Sequence, residues 1–389
     1  MAIPIVYNLR SLTQRPMSSL ATALGIAFVV AVLVGALALA SGFQAALVQT
    51  GSPSNVIVLR KGADSEISSG IGRDGVNILR TLPEVAVDGQ NRPLVSGEIV
   101  VLVSQPRKGG KGSSNVTVRG IDVGGLPLRS QVKIASGRMF TAGTDEVVVA
   151  ERMARRFEGL AVGDKLRFGQ RDFTVVGTFN AGGSAFDSEV WGDLNVLGPA
   201  LGRDNAFQSL TFTMRDTSQF RALEKRLETD PRLSVDVRTE RAWYAEQSQL
   251  LATVIRVAGV FLTLVMALGA IFGAMNTMFA AVGARTREIA TLQVLGFSPF
   301  AITTSFMIES VLLALVGGAL GCLIALPING ITTSTTNWAS FSEVAFAFRV
   351  TPIGMMVGMI FAAALGVVGG FLPALKAGRQ SLASTLRGA

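Results

Sequence analysis

The residue types that perform most protein chemistry are scarce in this chain of 389 residues. It has no histidine, which removes the commonest general base, proton shuttle and zinc ligand. A single cysteine, Cys322, rules out disulfide frameworks and cysteine-cluster metal sites. Without histidine a Ser-His-Asp arrangement cannot be built, and no GxSxG occurs. Gly70-Ile71-Gly72-Arg73-Asp74-Gly75 matches GxGxxG, yet it follows a polar stretch and lacks the buried strand that would aim a helix N-terminus at a pyrophosphate. Gly110-Lys111 resembles the end of a phosphate loop, but Gln105 replaces the first glycine and Gly112 stands where a magnesium-binding Ser or Thr belongs. Asp145 and Glu146 read as surface carboxylates. The sequence therefore predicts a non-enzyme, with no catalytic, cofactor-binding or metal-binding residue.

The patterned segment is Ala284 to Pro299. Arg285, Arg287 and Glu288 form a charged leading turn, Ile289, Leu292 and Leu295 recur at helical spacing, and Gly296 followed by Pro299 supplies a stop. A short amphipathic helix of this kind can dock in a groove of a soluble partner. Glu309 is a carboxylate inside an apolar run. Its two uses are an ion or proton site, or a position near the membrane interface hydrogen-bonded to a neighbouring helix; no other charge in the spans completes a relay, which favours the second. Gly269 and Gly273, Gly317 and Gly321, Gly354 and Gly358, and Gly366 and Gly370 stand four apart, where missing side chains let helices approach closely.

The elements that must position these residues are membrane spans. The chain is 49% hydrophobic and 16% charged. Charged side chains are missing from Pro16 to Leu59, Val257 to Ala284, Ile289 to Ser342 apart from Glu309, and Val350 to Leu375. Each run can cross ~30 Å of hydrocarbon as a helix. The first exceeds the usual apolar core of a signal peptide, roughly 7–15 residues. Arg10 and Arg15, Arg285 and Arg287, and Lys376, Arg379 and Arg387 flank the spans on one side, which places both termini in the cytoplasm. The segment Phe43 to Gln249 is then extracytoplasmic. It carries 26 basic and 24 acidic residues, a mixed surface that excludes a nucleic-acid footprint despite a chain charge of +8.

Alternating apolar blocks such as Glu98 to Val103 and Phe173 to Val176, between helical windows such as Glu151 to Phe157, make this segment α+β. The predicted fold is a membrane α-helical protein of four transmembrane helices with a large α+β extracytoplasmic domain inserted between helices 1 and 2. Its parts are a cytoplasmic segment 1–19, helix 1 at 20–42, an outer domain at 43–249 with two subdomains, and helix 2 at 250–283. A cytoplasmic helix at 284–299, helix 3 at 300–329, an outer loop at 330–350, helix 4 at 351–374 and a cytoplasmic tail at 375–389 follow. Trp243, Tyr244 and Trp338 are expected as headgroup anchors. Glu240 to Leu251 can form a helix running straight into helix 2.

Arg287-Glu288-Ile289 with Leu292 and Leu295-Gly296 resembles the signature of the FtsX/MacB-type, mechanotransmission permeases of ATP-binding-cassette (ABC) systems. Glu309 with Gly317-Gly318 and Gly321, Pro373-Ala374 and a tail ending in Leu386-Arg387 add to the likeness, as do Asn8-Leu9-Arg10, Thr22, Leu24 and Gly25. Ser136 to Phe140, Val162-Gly163-Asp164 and Phe173 to Gly177 look like the MacB-type periplasmic domain. The resemblance implies a multi-pass permease of the bacterial inner membrane, in contact with membrane lipids and paired with an identical or paralogous permease. Its coupling helix (Arg285, Arg287, Glu288, Ile289, Leu292, Leu295, Gly296) would sit on a separate cytoplasmic ATPase that holds the ATP and Mg. An adaptor in the periplasm is compatible with it. The substrate stays open among lipid, lipoprotein, peptide and small molecule. The rival readings are a regulator that activates a periplasmic cell-wall hydrolase, a membrane-anchored receptor without an ATPase, and a secondary transporter using Glu309.

Overall fold

The computed structural model describes residues 16–110, 112–204, 206–338 and 340–380. Asn8, Leu9, Arg10, Arg15, Lys111, Leu386 and Arg387 lie outside the described residues. The α-helices are α1 (Pro16–Thr50), α2 (Arg73–Arg80), α3 (Glu151–Arg156), α4 (Leu194–Ala200), α5 (Phe220–Glu228), α6 (Glu240–Ala284), α7 (Thr286–Val294), α8 (Pro299–Ala325) and α9 (Pro352–Gly378). Of these, α1, α6, α8 and α9 are long and apolar enough to cross a membrane. The chain divides into two compact units. One comprises residues up to Gly42, Thr253–Ile331 and the chain from Phe348; the other comprises Phe43–Ala252 and Thr332–Ala347.

In the first unit, small residues govern the packing. A Cβ at Gly317 would lie 2.7 Å from the Ala23 carbonyl oxygen, and one at Gly321 2.5 Å from that of Ala27, so α8 meets α1 almost backbone to backbone. Gly318 and Gly366 do the same for α8 and α9, facing Ala362 and Ala314. Apolar side chains close around these contacts, with Ile26, Val30, Val34, Ala314, Ala362 and Leu365 in one buried cluster. Gly269 and Gly273 differ: among the described residues, a Cβ at either would meet nothing within 4 Å. Of the glycines spaced four apart, Gly317, Gly321, Gly358, Gly366 and Gly370 thus meet neighbouring helices among the described residues, whereas Gly269 and Gly273 do not.

The second unit is built on a ten-stranded sheet in the order Val235–Thr239, Asn55–Arg60, Ser209–Thr213, Val95–Pro106, Ser113–Ile121, Glu189–Asp193, Glu146–Ala150, Arg171–Asn180 and Lys133–Gly137, with Lys165–Phe168 paired to Arg171–Asn180. One continuous sheet spans the region where two subdomains were expected. It serves two apolar clusters, one around Val118, Phe173, Phe179 and Trp191, the other around Val58, Phe212, Leu223 and Val237. The residues between α8 and α9, expected as a loop, form an antiparallel hairpin, Thr332–Thr336 with Glu343–Ala347, that belongs to this unit. Its first strand is all Thr and Ser, which hides it from a search for apolar alternation.

Charge, not only apolar area, fills the centre of this unit. Sheet alternation puts Glu98, Arg119 and Glu189 on one face of three adjacent strands. Arg119, 2% exposed, donates to Glu66 (2.8 Å), Glu98 (2.7 Å) and Glu189 (2.8 Å). Arg129 donates to Glu98 at 2.7 Å and to Glu240, the first residue of α6. Glu240 also accepts from the Ser52 amide and the Asn55 side chain, just past the end of α1. A Cβ at Gly51 would strike the Arg241 backbone at 2.6 Å, so the glycine permits this approach. Four buried carboxylates therefore share two guanidiniums, with Phe186 beneath both cations. Trp243 and Tyr244, expected at headgroup depth, are buried in the same unit because α6 already begins at Glu240; Tyr244 packs edge-on against Phe186.

Burial alone would raise the Glu66 carboxyl, but the Arg119 charge and hydrogen bonds from Arg119 and Ser209 hold it below its ordinary 4.5. Its contribution to stability is present above that value and is lost as pH falls through the lowered one. Arg119→Met, which strands buried carboxylates, is expected to destabilise the unit by about 3–5 kcal/mol. Denaturant unfolding of the full chain, followed by tryptophan fluorescence, would show it, and an unchanged midpoint would remove the network from its structural role. A second contrast concerns the glycines. Gly317→Ala and Gly321→Ala should lower the melting temperature in detergent by several degrees, whereas Gly269→Ala and Gly273→Ala should leave that of the isolated chain unchanged.

Candidate functional site

The segment that the sequence singles out joins α6 to α8 in the first unit. α6 ends at Ala284, Arg285 turns the chain, and α7 runs over Thr286–Val294. Its end is a Schellman motif: the Gly296 amide donates to the Gln293 carbonyl, the Phe297 amide to the Leu292 carbonyl, and Gly296 has φ of +88°. Gly296 is thus the residue that stops the helix. Ser298 then caps α8, accepting from the Ala301 amide at 3.2 Å, with Pro299 in the first turn.

α7 has two faces of different chemistry. Arg285, Ile289 and Leu292 turn inward. Ile289 is buried among Met278, Val282, Ile302, Phe306, Ala374 and Ala377, and Leu292 packs against that cluster. These two were expected to dock on a partner; the bundle covers them instead, because their spacing faces α6, α8 and α9 rather than solvent. The exposed face carries Arg287, Glu288, Thr291, Val294 and Leu295, continued by Phe300 at the start of α8. Leu295 is 65% exposed, Val294 73% and Phe300 80%. Val294 and Phe300 were missed in the sequence. Their signal was present as large apolar residues beside a helix stop, but membership of the exposed face depends on which side of α7 the bundle occupies.

Arg285 was also expected to touch a partner. It is buried instead, and its Nη1 donates to both oxygens of Glu309, at 3.2 and 3.0 Å. The intramembrane acid therefore has its counter-charge at the foot of the neighbouring helix, and the pair ties the start of α7 to α8. Both hydrogen bonds come from one guanidinium nitrogen and are charge-assisted, which suits a fixed latch. Gln293 Nε2 donates to the Gln380 carbonyl at 3.0 Å, and Lys376 lies over the Phe279 ring, which pins α7 and α6 to the end of α9.

The description "MacB-like periplasmic core domain" matches residues 19–230, and "FtsX-like permease C-terminal" matches residues 260–382. The chain belongs to the MacB/FtsX-type family of ABC transporter permeases. Among its relatives, the uncharacterized ABC transporter permease YknZ of Bacillus subtilis (strain 168) is 25% identical over 400 residues, which cover 97% of each chain. The macrolide export ATP-binding/permease protein MacB of Agrobacterium fabrum is 28% identical over 390 residues, covering 93% of this chain and 57% of that one. The chain thus spans little more than half the length of that MacB. The crystal structure of the extracellular domain of a YknZ from Gram-positive bacteria aligns over 47% of this chain and 99% of that one, with 16% identity and a TM-score of 0.36.

In this permease, removing one partner of the latch leaves a buried charge. Arg285→Met or Glu309→Leu alone should each cost about 3–5 kcal/mol, and the double variant should recover most of the loss. Thermal unfolding of the four proteins in one detergent measures the coupling; additive losses would show that the two residues act independently.

Proposed function

We propose that this permease couples ATP hydrolysis by a separate cytoplasmic ATPase subunit to motion of its periplasmic unit, and so drives export or extraction of a substrate from the outer side of the inner membrane. The observation that carries this reading is the exposed face of α7, where a charged turn, Arg287 and Glu288, leads into bare apolar residues, Val294 and Leu295. Polar contacts around a desolvated apolar centre are what a groove on a soluble partner would take. The family contributes the ATPase partner. YknZ, a relative of matching length, is described as an ABC transporter permease, while the longer MacB relatives are described as ATP-binding and permease together. ATP and Mg would be held by that partner.

The route for the stroke is helical. α1 and α6 are each unbroken from the apolar segment into the residues of the outer unit, and the α6 end there carries Glu240 within the buried ionic network. A displacement along a helix that ends in fixed ion pairs moves the network with it. On this reading the helices cross the inner membrane with both termini cytoplasmic, and the domain between α1 and α6 faces the periplasm. Gly269 and Gly273, open within the chain and flanked by exposed Val265, Leu268 and Phe272, suit a second permease copy, identical or paralogous, among membrane lipids. A periplasmic adaptor is compatible with this arrangement. The substrate class remains lipid, lipoprotein, peptide or small molecule.

Gentle purification of the chain from its host membrane is expected to bring an ATP-hydrolysing protein with it. Arg287→Ala with Glu288→Ala, and separately Leu295→Asp, should weaken that association at least about tenfold, equivalent to ~1.4 kcal/mol, without changing the melting temperature of the permease. An ATPase that binds both variants as well as the parent would overturn the assignment of this face. A co-purifying cell-wall hydrolase with no transport activity would instead favour a regulator working by the same stroke.

A further inference from the structure

The outer unit carries a basic pocket that the coupling role does not use. It is an open pocket of about 460 Å³ between α3 and the hairpin, lined by Arg152, Arg155 and Arg156 with Thr332, Thr333 and Ser334. None of the described residues lining it is acidic. Helical spacing collects the three arginines, at i, i+3 and i+4, on one face of α3, while Met153 is buried on the other.

The three guanidiniums are not equally committed. Arg156 bridges Ser334 Oγ and a Glu343 oxygen, each at 2.6 Å, and so holds the wall in place. Arg152 meets the Asp187 carboxylate at 3.8 Å, beyond hydrogen-bond distance. That carboxylate already accepts from the Ala181 and Gly183 amides, and Arg152 Nη1 is buried without a hydrogen-bond partner. Arg155 is 76% exposed, and its carboxylate contact is Glu151 on the same short helix, an i,i+4 pair that solvent screens and a ligand can replace. The lining itself carries no carboxylate, and the guanidiniums of Arg152 and Arg155, held only by a distant and a solvent-screened partner, stand beside Thr332 and Ser334 on one face of the hairpin strand, a donor set that suits a tetrahedral oxyanion.

We propose that this pocket binds a phosphate-type anion through Arg152 and Arg155, with the hydroxyls of Thr332 and Ser334 completing its shell. Such a group can arrive on a lipid headgroup or on a soluble phosphate ester, and the chemistry of the wall is the same for both. Binding here needs no ATPase, so failure of this site and failure of the coupling role are told apart.

The test titrates the full chain, in a non-ionic detergent, with short-chain phosphatidylglycerol, glycerol phosphate, and a diacylglycerol with the same acyl chains but no phosphate. Saturable binding of the lipid and the ester marks phosphate recognition from either source; binding of the lipid alone marks a headgroup site, and of the ester alone a soluble-ligand site. In each case Arg155→Gln, which removes an exposed side chain and leaves the fold intact, should weaken binding at least about tenfold. Arg152→Gln with Arg155→Gln should abolish it, while Glu151→Gln, which frees Arg155, should tighten it. No saturable binding of either phosphate compound, equal binding of the diacylglycerol, or affinity unchanged by Arg155→Gln would each overturn the proposal.

Discussion

Arg119 and its carboxylates are the constraint around which the outer unit is arranged. A guanidinium at the centre of a sheet has to have its N–H donors met inside the protein, and Glu66, Glu98 and Glu189 meet them from a loop and two strands. The second arginine, Arg129, carries the chain of contacts on to Glu240, where α6 begins. Buried ion pairs add little net stability over apolar packing, but they are intolerant of misregistration, so this network fixes geometry more than it adds energy. It sets where both long helices end within the outer unit: Glu240 opens α6, and the same carboxylate binds the chain just after α1.

In the first unit a different constraint operates. Lipid offers no hydrophobic drive for helix association, so close backbone approach supplies the packing. Gly317 and Gly321 let α8 lie against α1, and Gly318 and Gly366 let it lie against α9. Glu309, a carboxylate within an apolar helix, would be costly to bury alone; Arg285 pairs with it from the end of α6 and thereby sets where α7 starts. The orientation of α7 follows. With Arg285 and Ile289 held inward, helical periodicity turns Arg287, Glu288, Thr291, Val294 and Leu295 outward.

One device recurs at three scales. Around Arg119 the charges are fully paired and buried, and they serve structure. Around Arg285 a single pair latches one short helix. Along α3, Arg152 and Arg155 are only loosely satisfied, and that incomplete satisfaction distinguishes a surface able to take a ligand from one that is finished. The same residue type therefore has three roles, set by how many of its five donors the fold already uses.

Much of this protein was legible in the sequence because hydrocarbon imposes a simple rule: long uncharged runs became α1, α6, α8 and α9, and the glycine, serine and proline near 296–299 became a helix stop and a cap. Alternation likewise marked the strands of the outer unit, and the segment 284–299 stood out by its charge and period. The sequence could not decide partners. Glu98, Arg119 and Glu189 read as ordinary polar positions on strands, and only the register of three adjacent strands makes them one cluster. Ile289 and Leu292 look like a docking stripe in one dimension, yet the bundle claims them and leaves Val294 and Leu295 bare. Local pattern fixes which elements form, since period and helix capping are properties of neighbours in the chain. Which face of an element is buried, and which charge meets which, is decided by contacts between residues far apart in sequence, such as Arg285 with Glu309 and Arg119 with Glu66, and these exist only once the chain has folded.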